Sequence, residues 1–153
     1  MTTTSFPTLE EMAGVAHGYT LDDNGTLVSS ADQLPWRGSP AGGGVTTADD
    51  EVRFIEALKA GKLIPLSMLA KAIKQQTVWY GYGFVSSGPI EFPHWGHGGG
   101  APGNSAALSV YPSNNMTMVC LSNRDPPICD RLLTSLHFHL SPPPPKEAQA
   151  TAN

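Results

Sequence analysis

The sequence predicts an α/β fold of the α+β type: an antiparallel sheet of three or four strands, a C-terminal helix packed on one face, and two short helices before the main strands. Three observations carry that expectation. Residues 46–62 have helical periodicity and reach a glycine at the end. Residues 77–123 break into strand-like runs divided by short turn signals. A Pro-initiated segment with leucines at helical spacing then follows.

Residues 1 to about 45 contain the turn signals Asn24-Gly25, Leu34-Pro35 and Ser39-Pro40 and little periodicity, which predicts a long irregular opening. "TTADDEVRFIEALKAGK" reads as a helix. Thr47 is its N-cap with Asp50 three residues on, Asp49 and Asp50 suit the N-terminal dipole, and Gly61 ends it. A second short helix follows Pro65, with Leu66, Leu69, Ala70 and Ile73 on one side. "TVWYGYGFVSS", "HWGHGGG", "SAALSVYPS" and "MTMVCLSN" read as strands. Their separators, Gly88-Pro89, Ala101 to Asn104 and Ser113 to Asn115, are short enough for antiparallel hairpins. The last two runs are apolar enough to be buried on both faces. "DPPICDRLLTSLHFHL" predicts the C-terminal helix, capped by Asp125, started by Pro126 or Pro127, with Ile128, Leu132, Leu133 and Leu136 in register. The domain is thus expected over residues 1–140. "SPPPPKEAQATAN", residues 141–153, is a Pro- and Ala-rich tail with nothing to pack.

Composition excludes several classes of function. A chain of 153 residues, 40% hydrophobic, suffices for one domain with a core. No apolar run approaches the roughly 18 residues of a membrane span. The N-terminus has neither the basic region nor the apolar core of a secretory signal, so the expected location is cytoplasmic. Nine Lys and Arg against 13 Asp and Glu, without a basic cluster, argue against nucleic acid. Cys120 and Cys129 are too few for a disulfide scaffold or a zinc site. Each fills a small apolar position, or the two bridge.

"WGHGGGAPG", Trp95 to Gly103, is the stretch that asks for chemistry. Three glycines in a row imply that something lies against bare backbone, as in a phosphate cradle, a metal site or the wall of a catalytic cleft. Gly98, Gly100 and Gly103 satisfy G-x-G-x-x-G, but a strand follows rather than a helix N-terminus, so no dinucleotide and no other cofactor is expected. His94 and His97 lie three apart on a strand, hence on opposite faces, and no third ligand is evident, so no metal is expected. His137 and His139 read as ordinary surface residues. "GNSAA" approximates a nucleophile elbow around Ser105, but it enters a strand and lacks the second glycine. Tyr80 and Tyr82 alternate on a strand so as to line a cleft or to cover the core. His97, taken alone, reads as a solvent-facing strand residue beside packing glycines.

The succession "GYT", "SPAGGGVTTADDEVRFIEALKAGKLI", "YGYGF" and "GHGGGAPGNSAALSVYPSNNMTMVCLSN" resembles the C-terminal part of the serine β-lactamase, penicillin-binding protein and β-lactamase-like esterase superfamily. The resemblance covers roughly residues 1–140 and implies a partial β-lactamase/transpeptidase-like fold. "MTTTSF" resembles an interior stretch of that superfamily, which would place Met1 at an internal methionine of a longer ancestor. By the resemblance His97-Gly98-Gly99 matches the K/H-x-G triad on the strand beside the nucleophile. His97, Gly99 and Gly100 are then the catalytic candidates, with Gly100 offering its N–H to the oxyanion, and Gly98 and Tyr82 contact substrate.

The departures matter as much. No serine stands three residues before a lysine; Ser67 and Lys71 are one residue too far apart, and there is no Y-x-N. Ser113-Asn114-Asn115 fits S-x-N in form only, at a hairpin tip. The expected function is that of a β-lactamase-related serine hydrolase, cleaving ester, amide, β-lactam or D-peptide bonds through an acyl-enzyme. It is present here as the C-terminal half without its nucleophile and inactive alone. Its partners would be a small ester or amide substrate once completed, and an N-terminal half in trans or a second copy. The alternative is a non-catalytic remnant or interaction module that pairs with another chain.

Overall fold

A computed structural model describes residues 1–33, 38–88 and 92–140. The Leu34-Pro35 turn, part of the Gly88-Pro89 turn and the 141–153 tail lie outside these. In chain order the elements are β1 (Tyr19–Leu21), β2 (Leu27–Ser29), α1 (Ala48–Lys59), α2 (Leu66–Ile73), β3 (Val85–Ser87), β4 (His94–Ala101), β5 (Asn104–Tyr111), β6 (Met116–Ser122) and α3 (Ile128–Leu140). The main sheet has strand order β3-β4-β5-β6, antiparallel throughout.

Alternation along the strands sorts side chains to the two faces of this sheet. Trp95, Leu108 and Val110 meet Ile55 and Leu58 of α1 and Leu69 of α2. Ala107, Met118 and Cys120 meet Cys129 and Leu133 of α3 on the opposite face. The expected burial on both faces is seen for β5, but β6, at the edge of the sheet, is only half-buried and its Leu121 is exposed. Each fully buried large side chain contributes about 1.5–3 kcal/mol to holding the layers together. Cys120 and Cys129 form a disulfide that ties the first turn of α3 to β6.

Helix α1 forms as its sequence dictates. The Thr47 hydroxyl accepts from the Asp50 N–H, and Gly61, at φ +68°, closes the C-terminus through Gly61 N–H to Leu58 and Lys62 N–H to Ala57. In α2 the buried residue is Leu69, while Leu66 is exposed.

Several expectations need correction. The opening is not wholly irregular: Asn24-Gly25 turns a short hairpin, β1–β2, whose loop is pinned by Asp22 accepting from the Asn24 and Thr26 N–H groups. The run at 77–87 is a strand only from Val85. Before it the chain makes a tight loop, because the Tyr82 N–H donates back to the Ala72 carbonyl and Gly81 lies so close to that carbonyl that no Cβ fits. Asp125 does not cap α3, since its carboxylate accepts from the Gly103 N–H at 2.7 Å and the Thr20 hydroxyl at 3.1 Å. These donors, the Gly103 N–H foremost, hold the carboxyl below its usual range. On α3 the seated residues are Cys129 and Leu133; Ile128, Leu132 and Leu136 are 47%, 50% and 40% exposed. His137 is not an ordinary surface residue, because its ring packs on His94 and Tyr111 and its Nδ1 lies 3.2 Å from the Tyr111 hydroxyl.

The N-terminal segment is fastened by one buried carboxylate. Asp50 accepts from the Thr3 N–H at 2.8 Å, the Thr3 and Thr4 hydroxyls at 2.8 and 3.0 Å, and Arg53 at 2.8 Å. The Thr3 N–H is the largest cause, and together these donors outweigh burial and hold the carboxyl well below the usual carboxylate range. A depressed folded-state value means that the stabilisation is complete above roughly pH 4 and is lost as the pH falls below it. Asp50→Asn should therefore lower the thermal midpoint at neutral pH and flatten its acid-side decline. Equal midpoints for the variant and the wild type at neutral pH would show that this anchor adds nothing.

Candidate active site

Strand β4 owes its close contacts to what its glycines leave out. Gly96, Gly98 and Gly100 face α3, whereas Trp95, His97 and Gly99 face the α1/α2 side. A Cβ on Gly98 would meet Asp130 Oδ1 at 2.6 Å, and one on Gly100 would meet Pro126 at 2.7 Å. The sequence implied that something lies against this bare backbone. On the Gly98/Gly100 face it is the start of α3; beside Gly99 nothing stands within 4 Å of a Cβ position.

The direction of the backbone groups follows from the same contacts. Positions for a Cβ on Gly96, Gly98 and Gly100 approach the carbonyls of Leu108, Ala106 and Asn104, which therefore point at β4. Their register partners His97, Gly99 and Ala101 exchange hydrogen bonds with β5. In an antiparallel ladder alternate residues turn their N–H and C=O to the other side. Gly98 and Gly100 accordingly direct theirs to the outer edge of β4. Strand β3 pairs with β4 only at His94, Trp95 and Gly96, so among the described residues no strand covers that edge from His97 onward.

A groove of about 440 Å³ runs along the open edge, lined by Trp79, Tyr80, Val85, His97, the three glycines, Pro126 and Asp130. Its size suits a small ligand. The His97 Nε2 lies 2.9 Å from the Tyr80 hydroxyl, and its Nδ1 lies 2.6 Å from the Gly98 carbonyl oxygen.

The sequence-derived candidates are thus partly brought together. His97, Gly98, Gly99 and Gly100 all line the groove, but Tyr82 is exposed and outside its lining; Tyr80 takes that place. Ser105 is buried, 3% exposed, and its hydroxyl accepts from the Cys129 N–H at 3.2 Å, so it caps α3 and does not face the groove. Ser67 and Lys71 are exposed on α2, away from the groove lining. Ser113 and Asn114 form the β5–β6 turn, with Asn115 left-handed at φ 52°. Trp79, Pro126 and Asp130 escaped the sequence reading, because only tertiary packing carries them to β4.

His94 and His97 do fall on opposite faces. His94 sits beside His137 in a separate hollow on the α3 side, and burial first, then repulsion from His137, lowers its proton affinity. No group of three metal-ligating side chains occurs among the described residues. None of the described helices is long and apolar enough to cross a membrane.

Two solved structures share the fold. The penicillin-binding protein from Bacillus halodurans is 20% identical, with a TM-score of 0.80 over 90% of this chain and 44% of that one. A D-stereospecific amidohydrolase from Streptomyces sp. is 23% identical, with a TM-score of 0.63 over 81% of this chain and 40% of that one. The chain therefore spans less than half the length of either. No curated protein matches its sequence. The beta-lactamase family model matches residues 1–148, nearly the full length, and with the glycine-lined strand and the sandwiching helices it makes this chain a member of the beta-lactamase family.

Proposed function

We propose that this chain supplies the oxyanion side of a serine acyl-transfer site acting on ester or amide bonds, β-lactam and D-peptide bonds included. The attacking serine would come from a separate segment bearing S-x-x-K and Y-x-N. One observation carries the reading: the Gly100 N–H is directed to the open edge of β4, inside a groove of ligand size. A backbone donor fixed where negative charge develops lowers an acyl-transfer barrier by roughly 3 kcal/mol. Pro126 lies against the α3 face of Gly100. The names of the two structural neighbours, a penicillin-binding protein and a D-stereospecific amidohydrolase, support the bond classes.

Within the chain itself no serine has a lysine at the required spacing, and Ser105 is spent on α3. Treated alone with a fluorophosphonate or a chromogenic β-lactam, the protein should form no covalent adduct and give no burst. A stoichiometric serine adduct detected by mass spectrometry would sink the half-site reading.

Co-expression with an N-terminal half carrying both missing motifs should restore ester turnover. In that complex Gly100→Pro, which deletes the N–H, should cost on the order of 100-fold in kcat. Gly99→Ala and Gly100→Ala separate site from scaffold in the chain alone. Gly99 has open space before it, so Gly99→Ala should keep or slightly raise the thermal midpoint. Gly100→Ala drives a methyl into Pro126 and should destabilise by about 1–3 kcal/mol. Equal midpoints for the two variants would mean that β4 is not clamped as described.

The stripe Ile128, Leu132, Leu136, repeating every fourth residue on the outer side of α3, favours association with a second copy or a completing half. Sedimentation of the purified chain should show self-association that Leu132→Glu abolishes. A monomer at high micromolar concentration would remove this part of the proposal.

A further inference from the structure

The pair Tyr80–His97 has a direction that the rest of the site does not assign, and it bears on which ligands the groove accepts. A carbonyl oxygen only accepts hydrogen bonds. The 2.6 Å contact between His97 Nδ1 and the Gly98 oxygen therefore requires the proton on Nδ1. In the neutral ring Nε2 is then a bare acceptor, and the Tyr80 hydroxyl 2.9 Å away must donate to it. Both ring nitrogens of His97 are consumed by these contacts. The Tyr80 oxygen has spent its only proton and keeps its lone pairs.

The position of Tyr80 is fixed by its own loop. Its carbonyl accepts from the Gln76 and Thr77 N–H groups, and its N–H donates to the Thr77 hydroxyl at 3.2 Å. Its neighbours Trp79 and Gly81 are tied to Ser86 and Phe84. The phenol ring meets the His97 ring edge-on at 5.8 Å between centroids. A side chain held this firmly loses little freedom when a ligand arrives.

We infer that Tyr80 is the specificity-determining residue of the groove: its hydroxyl oxygen accepts from a ligand N–H, and His97 is a positioning residue that orients the hydroxyl. This rests on the reading of the groove as an acyl-group site. With Gly98 and Gly100 presenting N–H donors and Tyr80 presenting an acceptor, the groove complements a secondary amide, which has one group of each kind; a β-lactam nitrogen carries no hydrogen and gains nothing from Tyr80. An ester has only acceptors, so its alkoxy oxygen would face the Tyr80 lone pairs unpaired. The site thus selects secondary amides over esters of the same shape, by the one hydrogen bond to Tyr80 that the ester cannot make.

Two measurements on the full chain test this. Nitrogen-15 spectra of the neutral His97 ring should show Nδ1 protonated and Nε2 bare; the opposite tautomer would overturn the inference without touching the acyl-site reading. Titration with N-benzylacetamide and benzyl acetate, followed by amide chemical shifts of Gly98 and Gly100, should favour the amide by about three- to ten-fold. In Tyr80→Phe that preference should fall to about one while the His97 tautomer persists, since the Gly98 contact remains. Equal binding of the two probes to the wild type, or a preference that survives Tyr80→Phe, overturns the inference alone. Binding of neither probe overturns the acyl-site reading and the inference with it.

Discussion

The arrangement depends on one steric constraint, the direct contact of α3 with backbone that has no side chains. Over Gly98 and Gly100 the sheet is thin enough for Asp130 and Pro126 to press against β4 from one face. Any Cβ there would hold the helix off, and the Ser105–Cys129 hydrogen bond and the Ala107–Leu133 packing would stretch with it. The same thinness leaves the opposite face and the outer edge of β4 for His97, Gly99 and the groove. Close packing and an open groove therefore fall on adjacent residues, and the strand's two-residue alternation accommodates both.

How much of this was legible in the sequence differs by element. Helix α1 was, since Thr47, Asp50 and Gly61 act through contacts within a few residues of themselves. Strands β4 to β6 were, because the turns at Pro102-Gly103 and Pro112 to Asn115 fix both ends locally. The 77–84 segment was not: its aromatic alternation imitates a strand, and the contact that bends it, Gly81 against Ala72, spans nine positions of chain. Nor was the role of Asp125, whose partners Thr20 and Gly103 approach only when the β1–β2 hairpin docks beside the end of β6. In the site, the glycines and His97 were legible through their pattern. The exchange of Tyr82 for Tyr80 follows from the loop, which breaks the period on which the choice rested.

The glycine run also separates two explanations that one sequence pattern had merged. Bare backbone can serve a ligand or a neighbouring element, and here packed and open positions alternate. Gly99 opens toward solvent while the residues on either side of it are occupied. This makes Gly99 the position in the run where an added methyl group would meet solvent and not the fold.

The Cys120–Cys129 bond has a mechanical meaning beyond joining two strands of text in the chain. It anchors α3 at its first turn, one residue before Asp130 and three after Pro126, the two residues that wall the groove. A helix held at that end pivots about it and is freer at the other, near His137, where its contacts are ring packing and the hydrogen bond to Tyr111. Any tilt of α3 about this anchor thus grows with distance from the groove, and Pro126 and Asp130 stay registered to β4.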